Sequence, residues 1–233
     1  MCIRDRFSDD ATIYDLQKNR VRAIVPTGSH PLAIGMMPDD SKFYVANLLD
    51  STLTVIDTAS GDVLSTINLL ANYDPISGDI SGPLGGLPIQ TPVSPDGRYV
   101  VTANTLTASI TIVDTDTDSV VAMLPCDPGC HGVQFGAKQG GGYYAYVSSK
   151  FSNRLIVVDG DPNGDGDASD ALVAGTISLV APGGAPSDDA IAGLAGMGGQ
   201  GILPIPVVYN GWVQNLPAQW KDLLTPEQQN PYP

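Results

Sequence analysis

The feature that most constrains this chain is that it repeats. Residues 28–67 read GSHPLAIGMMPDDSKFYVANLLDSTLTVIDTASGDVLSTI, and residues 86–124 read GLPIQTPVSPDGRYVVTANTLTASITIVDTDTDSVVAML. Displaced by 57 positions, Pro31 falls on Pro88, Pro38-Asp39 on Pro95-Asp96, Ala46-Asn47 on Ala103-Asn104 and Asp57-Thr58 on Asp114-Thr115. A third copy, CHGVQFGAKQGGGYYAYVSSKFSNRLIVVD, ends at Asp159, 45 residues after Asp114. The basic period is therefore about 45 residues, and the first interval carries an insertion at 70–85. A fixed period of this size marks a repeat architecture in which each unit buries its apolar face against its neighbours.

Each copy has the same local logic. A short apolar stretch (Leu32–Met36) meets a turn at Pro-Asp-Asp or Pro-Asp-Gly. Proline presets φ there, and Asp and Gly tolerate the remaining angles. A β-rich run follows: Phe43–Ala46, Tyr99–Ala103 or Tyr143–Val147. Then comes an alternating strand, Thr52–Asp57, a polar turn at Thr58–Gly61 and a last strand, Val63–Ile67. Four short antiparallel strands per repeat, with no room for helices, predict an all-β fold built from four-stranded β-propeller blades.

The string SPDGRYVVTAN…ITIVDTDTDSVV closely resembles the YVTN-type β-propeller repeat (YncE-like or surface-layer-type propellers) over about Asp10–Ala181. WD40 is a poorer match, because its Gly-His and Trp-Asp signatures are missing. The resemblance implies export to the periplasm or cell exterior and a ring that is usually seven-bladed. The expected domain plan is a start outside the repeat, non-native or disordered (1–9), then a partial blade (10–27) and a blade (28–69). The insertion (70–85), two blades (86–125 and 126–181), a second partial blade (182–213), and a short helix with a Pro-rich tail (214–233) complete it. About four blades are present, so the chain reads as a fragment of a larger ring, with the missing blades or an adjacent domain as partners.

Charge narrows the partners. Asp plus Glu is 25 and Lys plus Arg is 11, a net charge of −14. Phosphate backbones and anionic lipid both require clustered cations, so neither nucleic acid nor a charged membrane surface is expected. No apolar run approaches the roughly 20 residues of a membrane helix.

Several strings carry chemistry. Cys126-Asp-Pro-Gly-Cys130-His131 is a loosened c-type haem attachment motif, with three residues between the cysteines where the usual motif has two. Its Asp-Pro-Gly turn also suits a local Cys126–Cys130 disulfide, the expected state in an exported protein. His30 and His131 align as equivalent positions at the start of the innermost strand, where two imidazoles could hold copper or a similar metal. The resemblance implies the same, since related propellers occur in copper- and haem-dependent denitrification enzymes. Asp161, Asn163, Asp165, Asp167 and Asp170 imitate the first half of an EF-hand loop and form a candidate calcium site; Leu172 stands where the bidentate Glu belongs. The insertion offers Tyr73, Asp74 and Asp79 as a binding loop. Gly196–Gly201 matches GxGxxG, but the following prolines exclude the helix that a phosphate site needs.

Three functions follow as expectations. The first is a non-enzymatic scaffold holding a protein or small-molecule ligand on its loop face. The second is the propeller part of a copper- or haem-dependent oxidoreductase or electron-transfer protein. The third is a lactonase-like hydrolase. No catalytic triad or metalloprotease motif is present.

Overall fold

The computed structural model describes residues 2–5, 7–71, 86–152, 154–179, 201–202 and 204. These form four antiparallel sheets arranged as propeller blades. Blade 1 holds β1 (Cys2–Asp5), β2 (Asp10–Asp15) and β3 (Arg20–Pro26). Blade 2 holds β4 (Pro31–Met36), β5 (Lys42–Asn47), β6 (Thr52–Asp57) and β7 (Val63–Asn68). Blade 3 holds β8 (Tyr99–Asn104), β9 (Ser109–Asp114) and β10 (Ser119–Pro125). Blade 4 holds β11 (Cys130–Ala137), β12 (Tyr143–Ser149), β13 (Arg154–Asp159) and β14 (Leu172–Ser178).

Two expectations are corrected. The start is not disordered outside the repeat. β1 pairs with β2, Asp5 opposite Asp10 as Asn47 stands opposite Thr52, and so supplies the second strand of blade 1. The first strand of blade 3 is irregular. Residues 87–93 run beside β8 through bridges at Pro88–Asn104 and Val93–Val100. Pro88 and Pro92 bring no N–H to the ladder, so a continuous strand cannot form. The second partial blade and the C-terminal helix lie almost wholly outside the described residues.

Strand alternation explains the stacking. In blade 2, Phe43, Val45 and Ile56 face blade 1 and bury against Ala11, Ile13 and Val25. The alternate residues Tyr44, Ala46, Leu53 and Val55 face the other way and bury with Val100 and Val113 of blade 3. Blade 3 repeats the device: Tyr99, Val101, Ala103, Ile110 and Ile112 pack with Val133, Phe135, Ala145, Val147, Ile156 and Val158 of blade 4. A strand buried on both faces reads as a continuous apolar run, which is why β8 (YVVTAN) is buried along its whole length. Fully burying one large side chain contributes about 1.5–3 kcal/mol. Outer strands are exposed on alternate residues, as in β7 and β14.

Polar groups follow the repeat too. The buried Asn104 amide donates to Ser109 Oγ (3.2 Å) and Thr111 Oγ1 (2.8 Å). Asn47 makes the matching bonds to Thr52 and Thr54, both 2.9 Å. Between blades 2 and 3, Lys42 and the Tyr44 hydroxyl both donate to Asp118 Oδ1, at 2.9 and 2.7 Å. Burial, and then this hydrogen bond, hold the Tyr44 phenol well above its ordinary pKa.

Blades 2 and 3 approach closely at Gly35. A Cβ there would lie 2.0 Å from the Thr91 carbonyl oxygen. Gly35→Ala is expected to destabilise the chain by about 3 kcal/mol or more in denaturant unfolding, because neither backbone can give way. Gly175→Ala, where nothing lies within 4 Å, is expected to stay within about 0.5 kcal/mol of the parent.

Candidate functional site

The blades present two loop faces. One gathers the turns joining first to second strands (Pro38–Ser41, Pro95–Arg98) and third to fourth strands (Thr58–Asp62, Asp114–Asp118). The opposite face gathers the turns between second and third strands and the crossings from one blade to the next. That second face carries His30, His131, Cys126, Cys130 and the ends of the 70–85 insertion. Tyr73, Asp74 and Asp79 themselves lie outside the described residues, as do Gly196–Gln200.

Each described crossing ends in a residue with left-handed backbone: His30 (φ 58°), Leu87 (φ 49°) and Gly129 (φ 77°). Their carbonyls accept from Leu48 (3.1 Å), Thr105 (3.2 Å) and Lys150 (2.9 Å), the first residues of the next turn. These bonds define structural equivalence, and they correct the alignment of the histidines. His30 corresponds to Gly129, not to His131, which lies two places further on, inside β11. The register of the inner strands agrees, with Pro31 opposite Asn47 and Cys130 opposite Ser149. The two imidazoles are therefore not a repeat-related pair. The His30 ring meets Phe7 edge to face at 5.9 Å, and the His30 backbone N–H donates to Asp9 Oδ1 at 2.7 Å. Among the described residues, no group of three or more His, Cys, Asp or Glu gathers to hold a metal.

Cys126 and Cys130 are joined in a disulfide, Cα atoms 6.0 Å apart. Thioether attachment of haem needs both thiols, so this linkage does not fit the c-type reading. The loop is braced from within. Asp127 is buried and receives both the Nε and the Nη2 of Arg154, the latter at 2.6 Å on Oδ1. Sequence reasoning missed this pair: 27 residues separate the partners and no local pattern links them. Phe151 lies across Gly129, where a Cβ would come within 2.6 Å of its ring.

The acidic loop sits on the other face. Asp161 accepts from Gly164 N (2.8 Å), Gly166 N (3.1 Å) and Arg98 Nη1 (2.8 Å). Asn163, Asp165 and Asp167 each accept from the backbone N–H two residues on, at 2.8–2.9 Å. Asn163 Nδ2 also donates to Asp165 Oδ2 at 3.0 Å. Desolvation, together with Asp165, Asp161 and Asp167, holds the Asp170 carboxyl above its ordinary pKa. The expected calcium ligands are thus engaged in a ladder of side-chain turns, with a guanidinium from the neighbouring blade against Asp161. A cation in this loop would share these oxygens with the turn N–H groups and meet Arg98 at Asp161.

Two outcomes follow. The Arg154 hydrogen bond holds the Asp127 carboxyl below its ordinary range. A lowered folded pKa adds stability that is present above the unfolded value and lost as pH falls through the folded one. Asp127→Asn is expected to cost about 1–3 kcal/mol at neutral pH. The gap should begin to close as pH falls through about 4 and vanish only below the lowered folded pKa, read by urea titration at several pH values. For the acidic loop, millimolar calcium is expected to move the melting temperature by no more than about 1 °C, since only a ligand that binds the folded state raises it. Arg98→Met is expected to cost up to about 1 kcal/mol, as befits a partly exposed ion pair.

No protein-family model matches this chain, and no curated protein sequence matches it. Many solved structures resemble it, among them the following two. Kuenenia stuttgartiensis hydrazine synthase aligns with a TM-score of 0.47 at 17% identity, over 67% of this chain and 51% of that one. Dihydro-heme d1 dehydrogenase NirN, in complex with DHE, aligns with a TM-score of 0.53 at 18% identity, over 76% of this chain and 34% of its own. This chain thus spans about half of the first and a third of the second. At these identities the likeness is one of fold, a β-propeller, and the YVTN resemblance rests on the repeat residues alone.

Proposed function

We propose that this chain is an exported β-propeller segment that works as a binding scaffold, with the face of the blade crossings as its ligand side. One observation carries the reading. The blade interiors repeat, while the crossings on this face differ: a histidine at one, a long insertion at the next, a braced disulfide loop at the third. A uniform frame with one varied face is the usual division of labour between scaffold and recognition loops. The disulfide supports an oxidising compartment, since cytosolic thiols are kept reduced. No helix among the described residues is long and apolar enough to cross a membrane.

A second reading draws on the likeness to dihydro-heme d1 dehydrogenase NirN, solved in complex with DHE. It makes this chain the propeller part of a periplasmic haem- or copper-dependent oxidoreductase, with ligands contributed by further blades or an adjacent domain. His30 and His131 would be its contribution. No observed feature favours the lactonase-like reading.

The test is elemental analysis and an ultraviolet–visible spectrum of the full chain expressed into a periplasm, beside His30→Ala/His131→Ala. The scaffold reading expects no stoichiometric copper and no Soret band. Either signal, lost in the variant, would replace it with the redox reading. Chemical cross-linking to periplasmic proteins is expected to map to the face bearing His30 and the Cys126–Cys130 loop; cross-links confined to the acidic-loop face would overturn that placement.

A further inference from the structure

The turn between second and third strands holds the same number of residues in all four blades, and its second position is always a large apolar side chain. Phe7, Leu49, Leu106 and Phe151 occupy it in blades 1 to 4. They are among the most exposed apolar residues of the described structure, at 92%, 60%, 55% and 55%. Turn tips are ordinarily polar, and single exposed apolar side chains need no account. Four at one structural position, on one face, in consecutive blades, form a row. Stacked sheets lie about 10 Å apart, which sets the spacing of neighbouring tips along the curve of the blades.

The backbone beneath the row is well tied. Leu49 N donates to Ser29 O and Leu106 N to Gly86 O, at 3.3 and 3.1 Å, so these tips are anchored to the adjacent crossings. The residue two places on has left-handed φ in blades 1 to 3: Asp9, Ser51 and Ala108. The fold thus presents these side chains from a rigid base.

Charge selects what covers them. Asp9 and Asp50 flank Phe7 and Leu49, held through one oxygen by the N–H groups of His30 (2.7 Å) and Ser29 (2.6 Å). Leu106 stands between Thr105 and Thr107. At the far end Lys150 precedes Phe151, and Asp127 is matched by Arg154. The row is therefore acidic at the blade 1–2 end, on a chain of net charge −14. Like charge disfavours a second copy of this chain and an anionic lipid surface.

We propose that Phe7, Leu49, Leu106 and Phe151 form a docking row for a cationic protein segment that carries apolar side chains, its basic residues seated beside Asp9 and Asp50. The inference rests on the scaffold reading and names the chemistry of its partner.

The test uses the full chain and two labelled 20-residue peptides. One is made of Lys and Leu, with Leu at helical i, i+3, i+4 spacing; the other has every Leu replaced by Ser at the same charge. In fluorescence anisotropy at physiological salt, the Leu peptide is expected to bind at least about tenfold tighter than the Ser peptide, the order of one well-buried apolar anchor. Leu49→Ser/Leu106→Ser should abolish that difference with an unchanged melting temperature. Asp9→Asn/Asp50→Asn should weaken both peptides and flatten their salt dependence. Equal binding of the two peptides, or parent-like binding by the Leu49/Leu106 variant, overturns the proposal. So does concentration-dependent self-association that this variant removes, since the row would then cover itself. If the peptides fail while cross-links still map to this face, the docking row alone falls; if the cross-links fail as well, the scaffold reading falls with it.

Discussion

Everything in this molecule depends on burying both faces of the middle strands. A sheet with one apolar face needs one cover, whereas a sheet with two needs a neighbour on each side. Phe43, Val45 and Ile56 look back to blade 1, and Tyr44, Ala46, Leu53 and Val55 look forward to blade 3. No blade can complete its core alone. The two-residue period of a strand turns this demand into a stack, each blade being at once the cover and the covered. Outer strands escape it, and so they leave apolar side chains such as Val21, Ile24, Leu64 and Ile177 exposed.

Polar ties then fix how the stacked sheets meet. Lys42 and Tyr44 reach Asp118 across one gap, and Arg98 reaches Asp161 across the next. Both lie toward the same loop face, where third-to-fourth turns supply carboxylates and first-to-second turns supply cations. The acidic loop belongs to this set. Its carboxylates act within the structure as turn acceptors and as a partner for a guanidinium. The opposite face has ties of its own, with Asp9 and Ser51 accepting from the N–H groups of His30 and Gly86 and Thr105 donating to the Cys130 carbonyl, and its described crossings differ from blade to blade.

Much of this was legible in the sequence. Strand positions, blade count and the turns followed from the 45-residue period, because each turn carries residues suited to it. Asp40, Gly97, Asn19, Gly61 and Asp118 all adopt the left-handed backbone that Asp, Asn and Gly tolerate best. The proximity of Cys126 and Cys130 was legible for the same reason, through Asp-Pro-Gly. The apolar tips were available too: aligning the four-residue turns places Phe7, Leu49, Leu106 and Phe151 in one column. They escaped notice because turn residues are habitually read for backbone conformation and not for side chain.

The sequence by itself determined the repeating unit, the alternation within it and the turn chemistry, since each depends only on neighbours within a few positions. Tertiary structure alone decided the rest. It set His30 against Gly129 and moved His131 along β11, because equivalence at a crossing is defined by hydrogen bonds to the next turn and not by matching letters. It incorporated Cys2–Asp5 as a strand, because an otherwise unpaired β2 edge accepted it. It brought Arg98 to Asp161 across 63 residues and Arg154 to Asp127 across 27, because contacts between blades and around loops depend on how sheets stack, a property no local window contains.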